Sequence, residues 1–146
     1  MGFINKYQGE IDGALNWENQ RYRKYGNQPG ASQGASIHWL IGQREQAEDF
    51  ALRYFELEPG GHSSREQHSH QHGIIAVRGK AVIHMGDEQF DFVPMDVAYI
   101  PGDEWHQIIN AGDEVFGFFC IIPARRMKNG KEVYAEGNWV DKPDEK

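Results

Sequence analysis

The residues that point most directly to chemistry are concentrated in one short segment. Five of the seven histidines in this 146-residue chain lie between residues 62 and 84. Within that segment, the run EQHSHQH places one carboxylate and three imidazoles at alternating positions, namely Glu66, His68, His70 and His72. Imidazoles and carboxylates bind transition metals through bonds of about 2.0–2.2 Å. The segment therefore predicts a metal site.

The alternation also limits how such a site can be built. In an extended strand, residues two apart point to the same side and lie about 6.5–7 Å apart along the chain. Two such neighbours can bind one ion, but four in a straight line cannot, so the chain must bend after the first pair. A further ligand must come from a distant strand. His106, in a run that begins with Pro101-Gly102, is the candidate.

Short β-rich runs surround this segment and must position its side chains. Turn signals such as Pro59-Gly60-Gly61 and Gly86-Asp87 separate them. No amphipathic helical segment lies between the runs, which favours an antiparallel sandwich or barrel. The predicted strands are 36–41, 50–58, 73–79, 80–85, 89–93, 96–101, 105–110 and 115–122.

Polar segments flank the predicted strands on both sides. Residues 1–35 are interpreted as an irregular N-terminal arm with one short helix near residues 10–23, whose aromatic side chains must cover another surface. Residues 36–123 form the predicted barrel. Residues 124–146 are charged, contain one turn signal at Asn129-Gly130, and are interpreted as a C-terminal arm or tail.

The spacing of the acidic and imidazole residues resembles the small single-domain cupins. Their first motif reads Gly, five residues, His-x-His, three or four residues, Glu, six residues, Gly. Here Gly60 opens the motif and Gly79 closes it without a gap. Glu66 and His68 occupy the His-x-His places, and His72 occupies the place of the family's Glu.

The second cupin motif is matched in part. It reads Gly, five residues, Pro-x-Gly, two residues, His, three residues, Asn. Pro101, His106 and Asn110 match it, whereas Met95 and Asp103 stand where the family has glycine. The resemblance implies an all-β, double-stranded β-helix barrel of the jelly-roll type. It also implies one divalent transition metal (Fe, Mn, Zn, Ni or Cu), and the family's inventory of three His and one Glu is kept by Glu66, His68, His72 and His106.

Two residues of the cluster have alternative roles. Glu66 either coordinates the metal or acts as a base beside a metal held by three histidines. His70 is the least secure ligand and is interpreted as an imidazole at the rim of the pocket that could transfer protons near neutral pH. Glu66 and His70 are therefore the candidate catalytic residues.

Other residues that could do chemistry are expected to stand outside the site. His62 precedes the motif in a glycine turn and His84 lies late in a strand, so neither is expected to bind the metal. Cys120, within VFGFFCII, is expected to be a small buried hydrophobic residue, although a thiol reaching the pocket is the alternative. Arg53 and Arg78 could clamp a substrate carboxylate, but a solvent-facing position is expected for both.

Four protein ligands would leave up to two positions open on an octahedral ion. A bidentate substrate or dioxygen could bind there, so the first hypothesis is a metal-dependent enzyme that acts on a small oxygenated metabolite. It would be either an oxidoreductase of the dioxygenase kind or an isomerase or lyase. The second hypothesis is a non-catalytic metal-containing module that binds or senses a small molecule, and the third is a structural barrel with a vestigial site.

Composition and charge limit the kinds of partner that the protein is expected to bind. The formal net charge of −7 would repel phosphate backbones, so nucleic acid is not an expected partner. No run approaches the roughly 20 apolar residues of a membrane-spanning helix, and no membrane partner is expected. Because Cys120 is the only cysteine, no intrachain disulfide can form, and the cytoplasm is the expected compartment. The family resemblance further implies a homodimer.

Overall fold

Antiparallel β-strands are almost all of the regular secondary structure in the part of the chain that the structure describes, residues 2–25 and 31–135 of a computed structural model. A short 3₁₀ turn spans Gln43–Glu45. Within those residues no helix is long and apolar enough to cross a membrane. The strands are β1 (Tyr7–Ile11), β2 (Ala14–Trp17), β3 (Tyr22–Lys24), β4 (Gln33–Ile41), β5 (Phe50–His62), β6 (His72–Arg78), β7 (Ala81–Met85), β8 (Glu88–Phe92), β9 (Val97–Ile100), β10 (His106–Ile109), β11 (Phe116–Pro123), β12 (Arg125–Lys128) and β13 (Lys131–Tyr134).

Strands β3 to β11 form one curled antiparallel sheet in which several neighbours are distant in sequence. Its order is β8-β7-β10-β5-β11-β6-β9, with β4 also paired to β5 and β3 paired to β4. This is the jelly-roll arrangement that the sequence predicted, and the eight predicted strands correspond to β4 to β11. The all-β prediction is therefore confirmed.

Strand β5 bends near its end and so reaches two different neighbours. It pairs with β11 from Phe50 to Leu57 and then with β10 at His62. The bend contains Gly60, whose φ of +79° is a left-handed value that glycine adopts without steric cost. The predicted turn at residues 59–61 is thus a bend within one strand, and it directs the following loop toward β10.

Alternation along β5 and β11 separates two buried faces. Phe116, Phe118 and Cys120 of β11 are almost fully buried in the barrel core, as expected for side chains two residues apart on one face. The same alternation places Arg53, Phe55 and Leu57 of β5 on the core side. The opposite face of β5 carries Tyr54 and Glu56, which are buried as well. Another part of the chain must therefore cover the outside of β5.

The N-terminal arm provides that cover as a β-hairpin. The short helix expected near residues 10–23 is wrong, because β1 and β2 pair antiparallel through this region. Asp12 and Gly13 link them with φ values of +52° and +84°, and two positive φ values in a two-residue loop are typical of the type I′ turn that closes hairpins. Trp17 of β2 packs 5.1 Å from Tyr54 between ring centroids. The arm is therefore part of the barrel wall.

The charged C-terminal segment begins as a second hairpin. Strands β12 and β13 pair antiparallel, and Asn129 and Gly130 form the predicted turn with φ values of +53° and +77°. Residues 136–146 of the predicted tail lie outside the described residues. The boundaries predicted at residues 35 and 123 stay predictions, and β4 begins at Gln33, just before the first of them.

Candidate metal centre

The loop between β5 and β6 carries the histidine cluster and is held beside the start of β10. Glu66 and His106 form an isolated antiparallel bridge, with hydrogen bonds from Glu66 N to His106 O (3.0 Å) and from His106 N to Glu66 O (2.9 Å). Asp103 N donates to His68 O over 2.6 Å. These backbone contacts explain how His106, nearly forty residues away in sequence, comes to face the cluster.

Three imidazoles converge at this junction. His68, His72 and His106 each offer one ring nitrogen, and these nitrogens all lie within 4.8 Å of one another. The Nε2 atoms of His68 and His72 are 3.0 Å apart. Two cis ligands with bonds of about 2.1 Å to one ion would be separated by roughly 3 Å, so this spacing fits a shared divalent metal.

The two buried histidines, His72 and His106, are oriented by hydrogen bonds that their Nδ1 atoms form. His106, the first residue of β10, lies with Nδ1 3.0 Å from Glu104 O, so Nδ1–H donates to this carbonyl. His72, the first residue of β6, lies with Nδ1 3.3 Å from Cys120 Sγ. Such partners fix the ring and its tautomer and leave Nε2 as the ligand atom. Both rings are therefore held in position by the barrel itself.

The environment keeps the imidazoles of His68 and His72 neutral, as metal ligation requires. Burial lowers the pKa of His72 to about 2, and the nearby Arg53 guanidinium acts in the same direction. Burial also lowers the pKa of His68, although the Glu66 carboxylate opposes this shift. At neutral pH both side chains keep a free lone pair for a cation.

Glu66 and His70 lie beside the three converging histidines. The Glu66 carboxylate is 3.3 Å from His68 Nε2 and accepts a hydrogen bond from Ser64 Oγ. It does not belong to the group of three residues whose ligand atoms all lie within 4.8 Å of one another. His70 stacks on His68 with ring centroids 4.2 Å apart. Burial lowers the pKa of His70 to about 4, so this ring is also neutral. The ligand and base roles expected for these two residues stay predictions.

A pocket of about 160 Å³ opens beside the histidines inside the barrel. Glu66, His72 and His106 contribute to its wall, whereas His68 and His70 are not among its lining residues. Its remaining wall is mostly apolar, with one cation and several polar side chains, and the lining residues include Tyr25, Arg53, Phe55, Leu57, Ser63, Ser64, Ile74, Ile108, Phe118 and Cys120. The arrangement offers a metal site at one side and an apolar space for a small organic molecule.

The solvent-facing position expected for Arg53 is wrong. Arg53 lies on the core side of β5, lines the pocket, and places Nη2 3.0 Å from Cys120 Sγ. Arg78 is also partly buried, because Nη2 forms a 2.7 Å ion pair with Glu56 under the N-terminal hairpin. Cys120 is buried, as expected, and is at the same time a pocket residue. Period-two alternation was the signal that could have assigned Arg53 to the face of Phe55 and Leu57, and Cys120 to the face of Phe116 and Phe118.

His62 and His84 stand outside the converging group, in line with their predicted exclusion from it. His62 Nδ1 lies 2.9 Å from Ser63 O, and His84 lies in the middle of β7, paired with β8 and β10. The group that converges in the described part of the chain therefore consists of three of the histidines that the sequence singled out.

Comparison with known proteins agrees with this geometry. A family model described as a cupin domain matches residues 53–122. The 1-methylthio-D-xylulose 5-phosphate methylsulfurylase of Rhodospirillum rubrum is 43% identical over 77 residues, which cover 53% of this chain and 49% of that protein. The match thus spans about half the length of this curated relative.

Solved structures extend the similarity to most of the chain. A cupin-2 domain protein from Rhodospirillum rubrum superposes with a TM-score of 0.73 at 27% identity, covering 90% of this chain and 86% of that one. A cupin 2 conserved barrel domain protein from Rhodopseudomonas palustris also gives 0.73, at 23% identity, covering 97% and 93% respectively. Residues 53–122 of this chain therefore match a cupin domain, and the jelly-roll fold is shared with both solved structures.

Proposed function

We propose that this chain is a metal-dependent enzyme that acts on a small oxygenated metabolite, by isomerisation or elimination. The observation that supports it is the convergence of three imidazoles beside a pocket whose wall also carries the Glu66 carboxylate. His68, His72 and His106 would hold the cation. A divalent transition metal bound there supplies Lewis-acid polarisation of a substrate oxygen.

Glu66 is the residue that would accept a proton from the substrate. Its carboxylate lines the pocket, and Ser64 Oγ donates a hydrogen bond to Oε1. A positioned carboxylate can remove a proton from the carbon next to a polarised carbonyl, which is the common step of isomerisation and elimination. The alternative is that Glu66 completes the ligand set, and a single variant separates the two roles.

The named relative supports an enzyme rather than a purely structural barrel. Its name describes action on 1-methylthio-D-xylulose 5-phosphate, a small phosphorylated sugar derivative. Because the similarity covers about half of that protein, its activity enters here only as a source of a first test compound. This compound is tested together with related phosphorylated and carboxylated keto compounds of similar size, which form a panel of test substrates.

The ligand assignment is tested by the metal content of protein purified without a histidine tag. We expect His106→Ala to lose the metal, because this buried ring is one of the three converging imidazoles. His70→Ala is the matched control and should retain most of it, since His70 lies outside the converging group. Equal losses in the two variants would show that the ligands are assigned wrongly.

The reaction is tested on the metal-loaded protein by following conversion of the compound panel together with oxygen uptake. Conversion without oxygen consumption supports the proposal, whereas substrate-dependent oxygen uptake would replace it with the oxidative chemistry that the sequence analysis also considered. Glu66→Gln should keep its metal and lose turnover if Glu66 is a base, and should lose metal if it is a ligand. Binding without turnover would instead support a non-catalytic binding module.

A further inference from the structure

We propose that Arg53 binds an oxyanion of the substrate, so that the metabolite accepted by this pocket carries a carboxylate or a phosphate. This inference rests on the proposed function for its context and names the substrate class. It is supported by the position of Arg53, by the lack of a carboxylate partner among the residues that the structure describes, and by the charges around the pocket.

Arg53 is held inside the barrel by its neighbours on both sides. On the sheet it pairs with Trp39 of β4 and with Cys120 of β11. Its guanidinium carbon lies 4.7 Å from the centre of the Phe55 ring and 5.6 Å from that of Trp39. Such stacking leaves the planar edge of the guanidinium free to form hydrogen bonds. The aromatic rings therefore orient the Arg53 guanidinium without accepting hydrogen bonds from its N–H groups.

The hydrogen-bonding capacity of Arg53 is largely unused. Nε is buried and has no hydrogen-bond partner, and Nη2 contacts the Cys120 sulfur, which is a weak acceptor. Within residues 2–25 and 31–135, no carboxylate lies within ion-pair distance of Arg53. Arg78 provides the contrast, because it pairs with the carboxylates of Glu56 at 2.7 Å and Glu10 at 3.3 Å. Arg53 is partly buried and its Nε is fully buried, so its guanidinium is suited to an anion that arrives from outside.

The charges around the pocket also favour a negatively charged substrate. The three histidines would hold a divalent cation, and the pocket wall also carries the Glu66 carboxylate and the Arg53 guanidinium. The loaded pocket would thus carry two uncompensated positive charges in a partly apolar enclosure. A substrate with one or two negative charges would neutralise them, and Arg53 would fix its orientation toward the cation.

The shape of the pocket limits the rest of the substrate. At about 160 Å³ the space suits a small metabolite, and Phe55, Leu57 and Phe118 offer apolar contacts to its carbon chain. A guanidinium forms paired hydrogen bonds with either a carboxylate or a phosphate, so the common chemistry is that of a small oxyanion. The two sources are distinguished by experiment.

The test measures binding of inorganic phosphate and of acetate, each over a millimolar concentration series, from the rise in unfolding temperature of the protein as purified. Variants Arg53→Met and Arg53→Gln remove the charge while keeping much of the side-chain length. Arg44→Gln removes an exposed arginine of the 3₁₀ turn and is the matched control. Elemental analysis of every sample reports metal content independently of anion binding.

We expect at least one of the two anions to bind wild-type protein and Arg44→Gln alike, and to bind both Arg53 variants about ten- to a hundred-fold more weakly, with metal content unchanged. Preference for phosphate or for acetate identifies the oxyanion. Unchanged affinity in the Arg53 variants, equal weakening in Arg44→Gln, or loss of folding in both Arg53 variants would each overturn the proposal. Protein without metal would count against the proposed enzyme, while Arg53-dependent anion binding in the same sample would still support this inference.

Discussion

Cys120 connects the metal site to the rest of the pocket. Its sulfur lies 3.3 Å from His72 Nδ1 and accepts a hydrogen bond from Arg53 Nη2 over 3.0 Å. With a metal on Nε2, His72 would carry its proton on Nδ1 and donate it to the sulfur. Burial raises the pKa of the thiol, although Arg53 opposes this shift. Cys120 therefore acts as a neutral acceptor that orients His72, and not merely as core filling.

Replacing Cys120 should weaken metal binding without removing a ligand. In Cys120→Ala the His72 ring loses its hydrogen-bond acceptor, and we expect metal affinity to fall about ten- to a hundred-fold in competition with a chelator. Cys120→Ser keeps an acceptor at nearly the same place and should remain close to wild type. If alanine and serine behave alike, the sulfur does not orient the imidazole.

The N-terminal hairpin is joined to the barrel by a buried polar cluster. Glu56 Oε2 accepts hydrogen bonds from Leu15 N (3.2 Å), Tyr54 Oη (2.8 Å) and Arg78 Nη2 (2.7 Å). The same Arg78 nitrogen donates to Gly13 O over 2.5 Å. Three strands of the barrel wall and the hairpin turn therefore meet around one carboxylate.

Removing Arg78 should destabilise this junction. Arg78→Ala leaves the Glu56 carboxylate buried with a weaker set of partners, and we expect the free energy of unfolding to fall by about 2 kcal/mol, reduced from the 3–5 kcal/mol typical of fully buried pairs because Arg78 is partly exposed. The matched control is Glu10→Gln, which removes its exposed partner and should change stability by less than about 0.5 kcal/mol. Equilibrium unfolding in urea measures both, and equal values would contradict the assigned role.

Stability of the whole molecule should depend on pH through His38. This side chain is 1% exposed, and its Nε2 lies 2.6 Å from Asn19 Oδ1 of the arm. Burial, assisted by Arg21, lowers the pKa of His38 to about 4. Between pH 6.5 and 4 the unfolded chain therefore binds a proton that the folded chain does not, so the free energy of unfolding falls as the solution is acidified.

The contribution of His38 to this loss has an upper limit of about 3 kcal/mol, from a shift of roughly two and a half pH units. His38→Gln carries no such proton and should reduce the dependence on pH by that amount. Urea unfolding at pH 7 and pH 4.5, with the same metal loading for both proteins, provides the comparison. Identical pH dependence in the two proteins would show that another group dominates.

The arm should also influence assembly and solubility. Trp17, Leu40 and Tyr54 form a small core of their own between the hairpin and the barrel. Deleting residues 1–30 would expose Leu40 and Tyr54, and we expect a protein that is poorly soluble or, if the chain is a homodimer as its family resemblance implies, monomeric. Light scattering after gel filtration measures the mass, and an unchanged soluble assembly would contradict the prediction.

The order of residues along the chain was enough to predict the strands and the histidines. Alternating apolar residues and turn signals mark β4 to β11, because burial on one face of a strand leaves a period of two in the sequence. The resemblance of the motifs around His68, His72 and His106 to those of cupins likewise predicts which imidazoles meet. The N-terminal hairpin is not predicted, because its Asp12-Gly13 turn lies within a polar segment that lacks clear alternation of apolar residues.

The tertiary structure alone determines which face of each strand lies toward the barrel interior and which lies under the N-terminal hairpin. Arg53 and Arg78 look alike as isolated cations between apolar neighbours, yet one lines the pocket and the other binds Glu56 beneath the hairpin. Likewise, only the pairing of β5 with β11 places Cys120 between Arg53 and His72. A period of two assigns residues to alternate faces, but which face becomes the interior depends on contacts between strands far apart in sequence.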